Sequence, residues 1–153
     1  MTLDALDKKL LLLLQQDTKS TTKELSLKLN LSVTAVYERI KKLERGGIIA
    51  KYVALLDPVK IDKNFTVFCH LKLTQHTREF ITKFESQVVK LDAVLECYHV
   101  SGDYDYILKI AVKDMDAYRE FLLSKLTTLG HIGSTHSTFM ISAVKNTTVH
   151  NLQ

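Results

Sequence analysis

Between Thr21 and Gly47 the chain reads TTKELSLKLNLSVTAVYERIKKLERGG, and its polar punctuation restricts the segment to two short helices joined by a tight turn. Thr21 followed three residues later by Glu24 is a capping box, in which hydroxyl and carboxylate each satisfy a backbone N–H of the first turn. Leu25 and Leu29 lie four apart and share one face, and Asn30 tolerates the left-handed conformation that ends many helices. This first helix spans about two and a half turns at ~3.6 residues per turn. Leu31 fills the turn and Ser32 caps the next helix. There Val36, Ile40 and Leu43 recur at i, i+4 and i+7 as a narrow apolar stripe, and Gly46-Gly47 closes the element.

A rotation of ~100° per residue places Thr34, Glu38, Lys41 and Arg45 opposite that stripe, with Tyr37 and Lys42 beside them. In a helix-turn-helix the second helix enters the major groove of DNA, its first residues meeting base edges and its basic residues pairing with phosphates. The pattern thus assigns Thr34, Ala35, Tyr37 and Glu38 to the groove and Lys41, Lys42 and Arg45 to the backbone. Arg39 borders the buried stripe, so it has two candidate partners: DNA, or a carboxylate on a preceding helix such as Glu24 or Asp7.

Charge supports a polyanionic partner for this part of the chain alone. Residues 1–60 hold eleven Lys and Arg against seven Asp and Glu, whereas residues 61–153 hold ten of each, so the net +4 sits entirely in the first part. With 153 residues, 46% of them apolar, the chain has enough material for one or two small cores. Cys69 and Cys97 lie in apolar alternating runs and nothing at the start has the regions of a signal peptide, so a reducing, cytoplasmic setting is expected. The apolar run Leu10 to Leu14 is far shorter than the ~20 residues a membrane crossing needs.

Asp4 is a suitable cap for a first helix with Leu6, Leu10, Leu13 and Leu14 on one side, and Asp7 favours its dipole. Ile48 to Leu56 is rich in β-formers and reads as a strand stopped by Asp57-Pro58. The expected division is a helix-turn-helix domain over residues 1–57, a linker over 58–64 and a second domain over 65–153.

Beyond the linker the period becomes two. Phe65, Val67, Cys69, Leu71 and Leu73 alternate with polar or exposed neighbours as a half-buried strand. Phe80, Phe84, Val88 and Leu91 follow with helical spacing after the cap Thr77. Strands over Val94–Ser101 and Tyr106–Lys113 flank the turn Gly102-Asp103-Tyr104-Asp105. Asp114 caps a helix with inner residues Met115, Tyr118, Leu122 and Leu126, and Thr135–Val144 supplies a last strand. The order βαββαβ predicts an α+β protein, its second domain a ferredoxin-like antiparallel sheet with both helices on one face. The other face, carrying Phe68, calls for a second copy, and a dimer also suits two DNA half-sites about 34–36 Å apart.

Helix-turn-helix, strand and split βαβ in this order resemble the Lrp/AsnC, or feast/famine, regulators along nearly the full length. The resemblance is carried by Leu3-Asp4 with Asp7, Leu25, Leu31-Ser32, Glu38-Arg39, Leu43-Glu44, Gly47-Ile48-Ile49 and Asp57-Pro58. In the second part it is carried by Glu96 to Tyr106 and by Asp114-Met115 with Ala117-Tyr118. It implies a transcription regulator that binds double-stranded DNA as a homodimer and assembles further, often to an octamer, with no required cofactor. It also implies an amino-acid effector held near Gly102, Asp103, Tyr104, Asp105, Thr135 and Ser137. Aspartates suit an ammonium, and the N–H groups of a Gly-containing turn suit a carboxylate. Where a member of the family presents an arginine between two threonines, this chain has Thr135-His136-Ser137, so the effector's identity does not carry over.

Other chemistries fit less well. Cys97 and His99 at i and i+2 lack a third group for nucleophilic catalysis, and no enzyme activity is expected. His99, His131 and His136 with Asp103 show no repeated metal-ligand spacing, so no metal is expected. The strand YILKIAVK lacks the glycine and aromatic spacing of an RNA-recognition module. An architectural protein that compacts DNA with little sequence preference is the alternative function open to the same helix pair.

Overall fold

The computed structural model describes residues 2–152, and the chain divides into two compact units. One comprises the chain up to Leu55 together with the segment from Val144 on, and the other runs from Leu56 to Ala143.

Three helices build the first unit: α1 (Ala5–Gln16), α2 (Thr22–Leu29) and α3 (Val33–Arg45). Asp4 caps α1 in a reciprocal box with Asp7, and Thr21 and Glu24 form the same device at α2. Asn30 ends α2 in the left-handed conformation, with φ 53°, as expected of a short polar side chain at this position. Leu10, Leu11, Leu14, Leu25, Leu29, Val36 and Leu43 close the core between the three helices. Each such side chain contributes roughly 1.5–3 kcal/mol by leaving water.

The last residues also join this unit, although the expected division placed residues 65–153 together in the second domain. Gln15 donates from Nε2 to the His150 carbonyl at 3.1 Å and accepts the His150 N–H at 2.7 Å, and Leu152 packs on the helical core. The expected strand at Ile48–Leu56 does not form. Its residues are largely exposed, and no backbone hydrogen bond joins residues 50–56 to any other described residue. β-propensity is realised only against a neighbouring strand, and this unit supplies none.

The second unit contains β1 (Phe65–Leu73), α4 (Arg78–Val88), β2 (Val94–His99), β3 (Tyr106–Val112), α5 (Met115–Phe121) and β4 (Ile132–Phe139). The sheet order is β2-β3-β1-β4, with every adjacent pair antiparallel. Val67, Cys69, Leu71 and Leu73 point to one side and pack with Phe84, Val88, Tyr118, Phe121 and Leu126 from the helical layer. Thr66, Phe68, His70 and Lys72 occupy the opposite face, outside that core. The α+β, ferredoxin-like architecture read from the period therefore holds.

After Phe121 the helix widens into one π turn over Leu122–Leu126 and ends in a 3₁₀ turn. The wider turn, with its i→i+5 bonding, lets Phe121 and Leu126 both reach the core. Met115, expected inside, is 48% exposed at the helix start.

Candidate DNA-reading helix and effector hairpin

Helix α3 is held by two independent devices. Its inner stripe buries Val36 and Leu43 completely, and Arg39 ties it to the start of α1. The Arg39 Nη1 donates to Asp4 at 2.7 Å and to Asp7 at 2.6 Å, and the Asp7 side chain has no exposed surface. These bonds, to Asp4 and then Asp7, hold the proton on the guanidinium more firmly than usual. Arg39, also a candidate for DNA, is thereby committed to carboxylates of its own chain. Of its two candidate carboxylates Asp7 is a partner, Asp4 is added, and Glu24 is engaged instead at the α2 cap. Two carboxylates brought together by a single capping box were the available sign that a cation would meet them here.

The remaining outward positions present a mixed polar and basic surface. Thr34, Glu38 and Arg45 are exposed, Tyr37 is 49% exposed, and Ala35 is half-buried beside the Ser32 cap. Lys41 bonds Glu44 at 2.8 Å and lies 5.7 Å from the Tyr37 ring centroid. Lys42 reaches Asp7 at 3.4 Å. The bond from Lys41, then that from the Tyr52 hydroxyl, keeps the Glu44 carboxyl below its ordinary range. Both lysines remain at the surface, and the exposed Lys41–Glu44 pair is weak and exchanges readily for phosphate.

In the second unit the six residues assigned to an effector separate by role. The turn between β2 and β3 closes through Val100 N–H to the Asp105 carbonyl, and Gly102 adopts φ 126°, a conformation that side chains disfavour. Asp105 is tied down: its N–H donates to the Leu71 carbonyl, its Oδ2 accepts from Leu73 N–H at 2.8 Å, and its Oδ1 meets His76 Nε2 at 2.8 Å. Burial opposes its charge, but the Leu73 N–H and His76 outweigh this and hold the carboxyl below its ordinary range. Asp103 is exposed and makes no ion pair with another described residue. Tyr104 lies over His70 and His136 with ring centroids 5.1 and 6.1 Å away.

Thr135 and Ser137 on β4 are register partners of Leu71 and Cys69, which puts them on the helix-covered side. Ser137 Oγ shares a 2.5 Å hydrogen bond with the Tyr118 hydroxyl, whose pKa burial pushes up to about 12. His136 between them faces the other way, opposite His70. Thus the hairpin and β4 flank the same stretch of β1 around Leu71, but their side chains are shared between two faces. His70 was absent from the sequence-based site because its place is set by strand register.

Burial, then the Glu85 charge, raises the Cys97 thiol to about 11, and His99 stacks on Tyr106 at 4.7 Å.

Residues 3–44 match the AsnC-type helix-turn-helix domain and residues 66–150 match the Lrp/AsnC ligand binding domain. The chain belongs to the Lrp/AsnC family. It is 39% identical to the leucine-responsive regulatory protein of Klebsiella pneumoniae over 143 residues, 94% of this chain and 87% of that relative. It is 38% identical to its counterpart in Escherichia coli K12 over the same shares. Among solved structures it is similar to an AsnC family transcriptional regulator from Agrobacterium tumefaciens, with TM-score 0.92 and 37% identity over 95% of each chain. It is also similar to a transcriptional regulator of Neisseria meningitidis in complex with L-Met, with TM-score 0.91 and 32% identity over 97% of this chain and 96% of that one. This Lrp/AsnC member is a transcriptional regulator with a helix-turn-helix DNA-binding domain and a ligand-binding domain. Among its described residues no helix is long and apolar enough to cross a membrane.

Proposed function

We propose that this regulator binds preferred DNA sequences as a homodimer in the cytoplasm and that an amino acid, acting on its second unit, alters that binding. Thr34, Ala35, Tyr37 and Glu38 meet base edges, and Lys41, Lys42 and Arg45 neutralise phosphates, while Arg39 positions α3 from behind. The observation that carries this reading is the division of α3 into an inner stripe, with Val36 and Leu43 fully buried, and an outer face whose cations all stay near solvent. The L-Met held by the Neisseria meningitidis regulator supports an amino acid as the class of effector. Gly102, Asp103, Tyr104, Asp105, Thr135 and Ser137 form its surroundings, with Asp103 available to an ammonium and the turn N–H groups to a carboxylate.

Two features support pairing of copies. The sheet face bearing Phe68 and Ile107 lies outside the unit's core, and residues 50–56 expose unpaired backbone beside Tyr52, Val53 and Leu55. Both are surfaces that a second chain stabilises by removing apolar area and completing hydrogen bonds. Dimers then assemble further, to an octamer.

Selection of binding sites from random duplexes, followed by footprinting at moderate salt, tests the DNA reading. Preferred, two-fold-related sites are expected; uniform protection without preference would instead make this an architectural compacting protein. Thermal-shift measurements with each of the twenty amino acids test the effector reading, because a ligand that binds the folded state raises its apparent stability. No shift with any of them would remove the amino-acid effector.

A further inference from the structure

His70 and His136 stand directly opposite each other on β1 and β4, on the face of the sheet outside the helical core. Their ring centroids are 6.0 Å apart. A zinc–imidazole bond is about 2.0–2.1 Å, so two imidazoles sharing one ion have centroids roughly 5–6 Å apart. The pair stands at the upper end of that range.

The pair is also uncommitted. Neither imidazole makes a hydrogen bond or ion pair with another described residue, whereas His76 is bonded to Asp105 and His131 packs on Phe80, tilted, at 3.9 Å. Tyr104 backs both rings and limits the rotamers they can take. The charged neighbours on this face leave the nitrogens open: Lys109 is neutralised by Glu96 at 2.9 Å, and Lys72, two residues beyond His70, is exposed to solvent.

We propose that His70 and His136 form a two-histidine site for a divalent first-row ion of borderline softness, Zn²⁺ foremost, its coordination completed by water or, where a second copy covers this face, by the same pair of that copy. No cluster of three or more metal-ligating side chains exists among the described residues, so the site binds reversibly and does not build the fold. An ion here clamps β4 to β1 beneath Tyr104, in the same turn as Gly102 and Asp103. The ion site itself does not depend on the effector reading.

Calorimetric titration of the full chain with Zn²⁺ tests it, using His70→Gln, His136→Gln and the double variant, with His150→Gln as the control. Micromolar uptake is expected for the parent and the control, and each ligand substitution should weaken it about tenfold or more. One ion per chain, or one per two chains sharing four imidazoles, both support the histidine pair. Millimolar binding only, or uptake unchanged in the double variant, overturns it. Pulsed EPR of the unsubstituted protein loaded with Cu²⁺ provides a readout that needs no variant: two equatorial imidazole nitrogens are expected, and none or one refutes the pair.

Discussion

Replacing Arg39 with Met removes a cation while keeping a side chain of similar length against α1. The Asp7 carboxylate, without exposed surface, then retains only the Asp4 N–H at 3.3 Å and the Lys42 ammonium at 3.4 Å. Removing one partner from a buried pair costs about 3–5 kcal/mol, because the remaining charge cannot recover its hydration. Lys42 persists as a weaker partner, which places Arg39→Met near the lower end, about 3 kcal/mol. Small domains have roughly 5–15 kcal/mol in total, so this is a large fraction of the first unit's stability. The chain has no Trp, so urea unfolding is best followed by the helical circular-dichroism signal. A loss under about 1 kcal/mol would refute the reasoning, since that is the range of a surface pair. Adding Asp7→Leu to Arg39→Met should recover most of the loss, as apolar replacement of a whole buried pair is often neutral or stabilising.

Lys41→Ala and Lys42→Ala should weaken binding to all duplexes and flatten its salt dependence, while changes at Thr34 or Glu38 should redistribute site preference; quantitative binding at several salt concentrations separates the two, and identical behaviour would contradict the division of α3. Asp103→Ala should preserve DNA affinity but blunt the shift that an effector produces, and an unchanged response would exclude the turn from the site. Acid should destabilise both units: Asp4 and Asp105 lie below their ordinary 3.8, and Glu24, Glu44 and Glu96 below 4.5, so their stabilisation is full above those values and declines as pH falls through the folded-state pKa values. Chemical unfolding from pH 6 down to about pH 3 checks this, and a flat profile would contradict it.

Local chemistry was legible wherever a cap and its partner lie within one turn. Thr21 with Glu24, Asn30, Ser32, Thr77 and Asp114 each marked a helix boundary found in the structure, because their hydrogen bonds span at most a few residues. The period-two run Phe65 to Leu73 likewise located β1 and the face it presents, since alternation is a property of the strand itself, whereas the last strand, expected over Thr135–Val144, forms over Ile132–Phe139. Residues 48–56 show where this stops: their β-formers predicted a strand, but a strand exists only with a partner.

The amino-acid sequence by itself determined the helix pair, its apolar stripe, its basic outer face and the βαββαβ order. Tertiary structure alone decided that Arg39 bonds Asp4 and Asp7, across more than thirty positions. It alone turned Thr135 and Ser137 toward the helices, set His136 against His70, and bound Gln15 to His150, 135 positions away. The physical reason is common to all of these. Caps and periodicity are written in neighbouring residues, whereas ion pairing, strand register and tail docking depend on which distant groups are brought together when apolar surface leaves water.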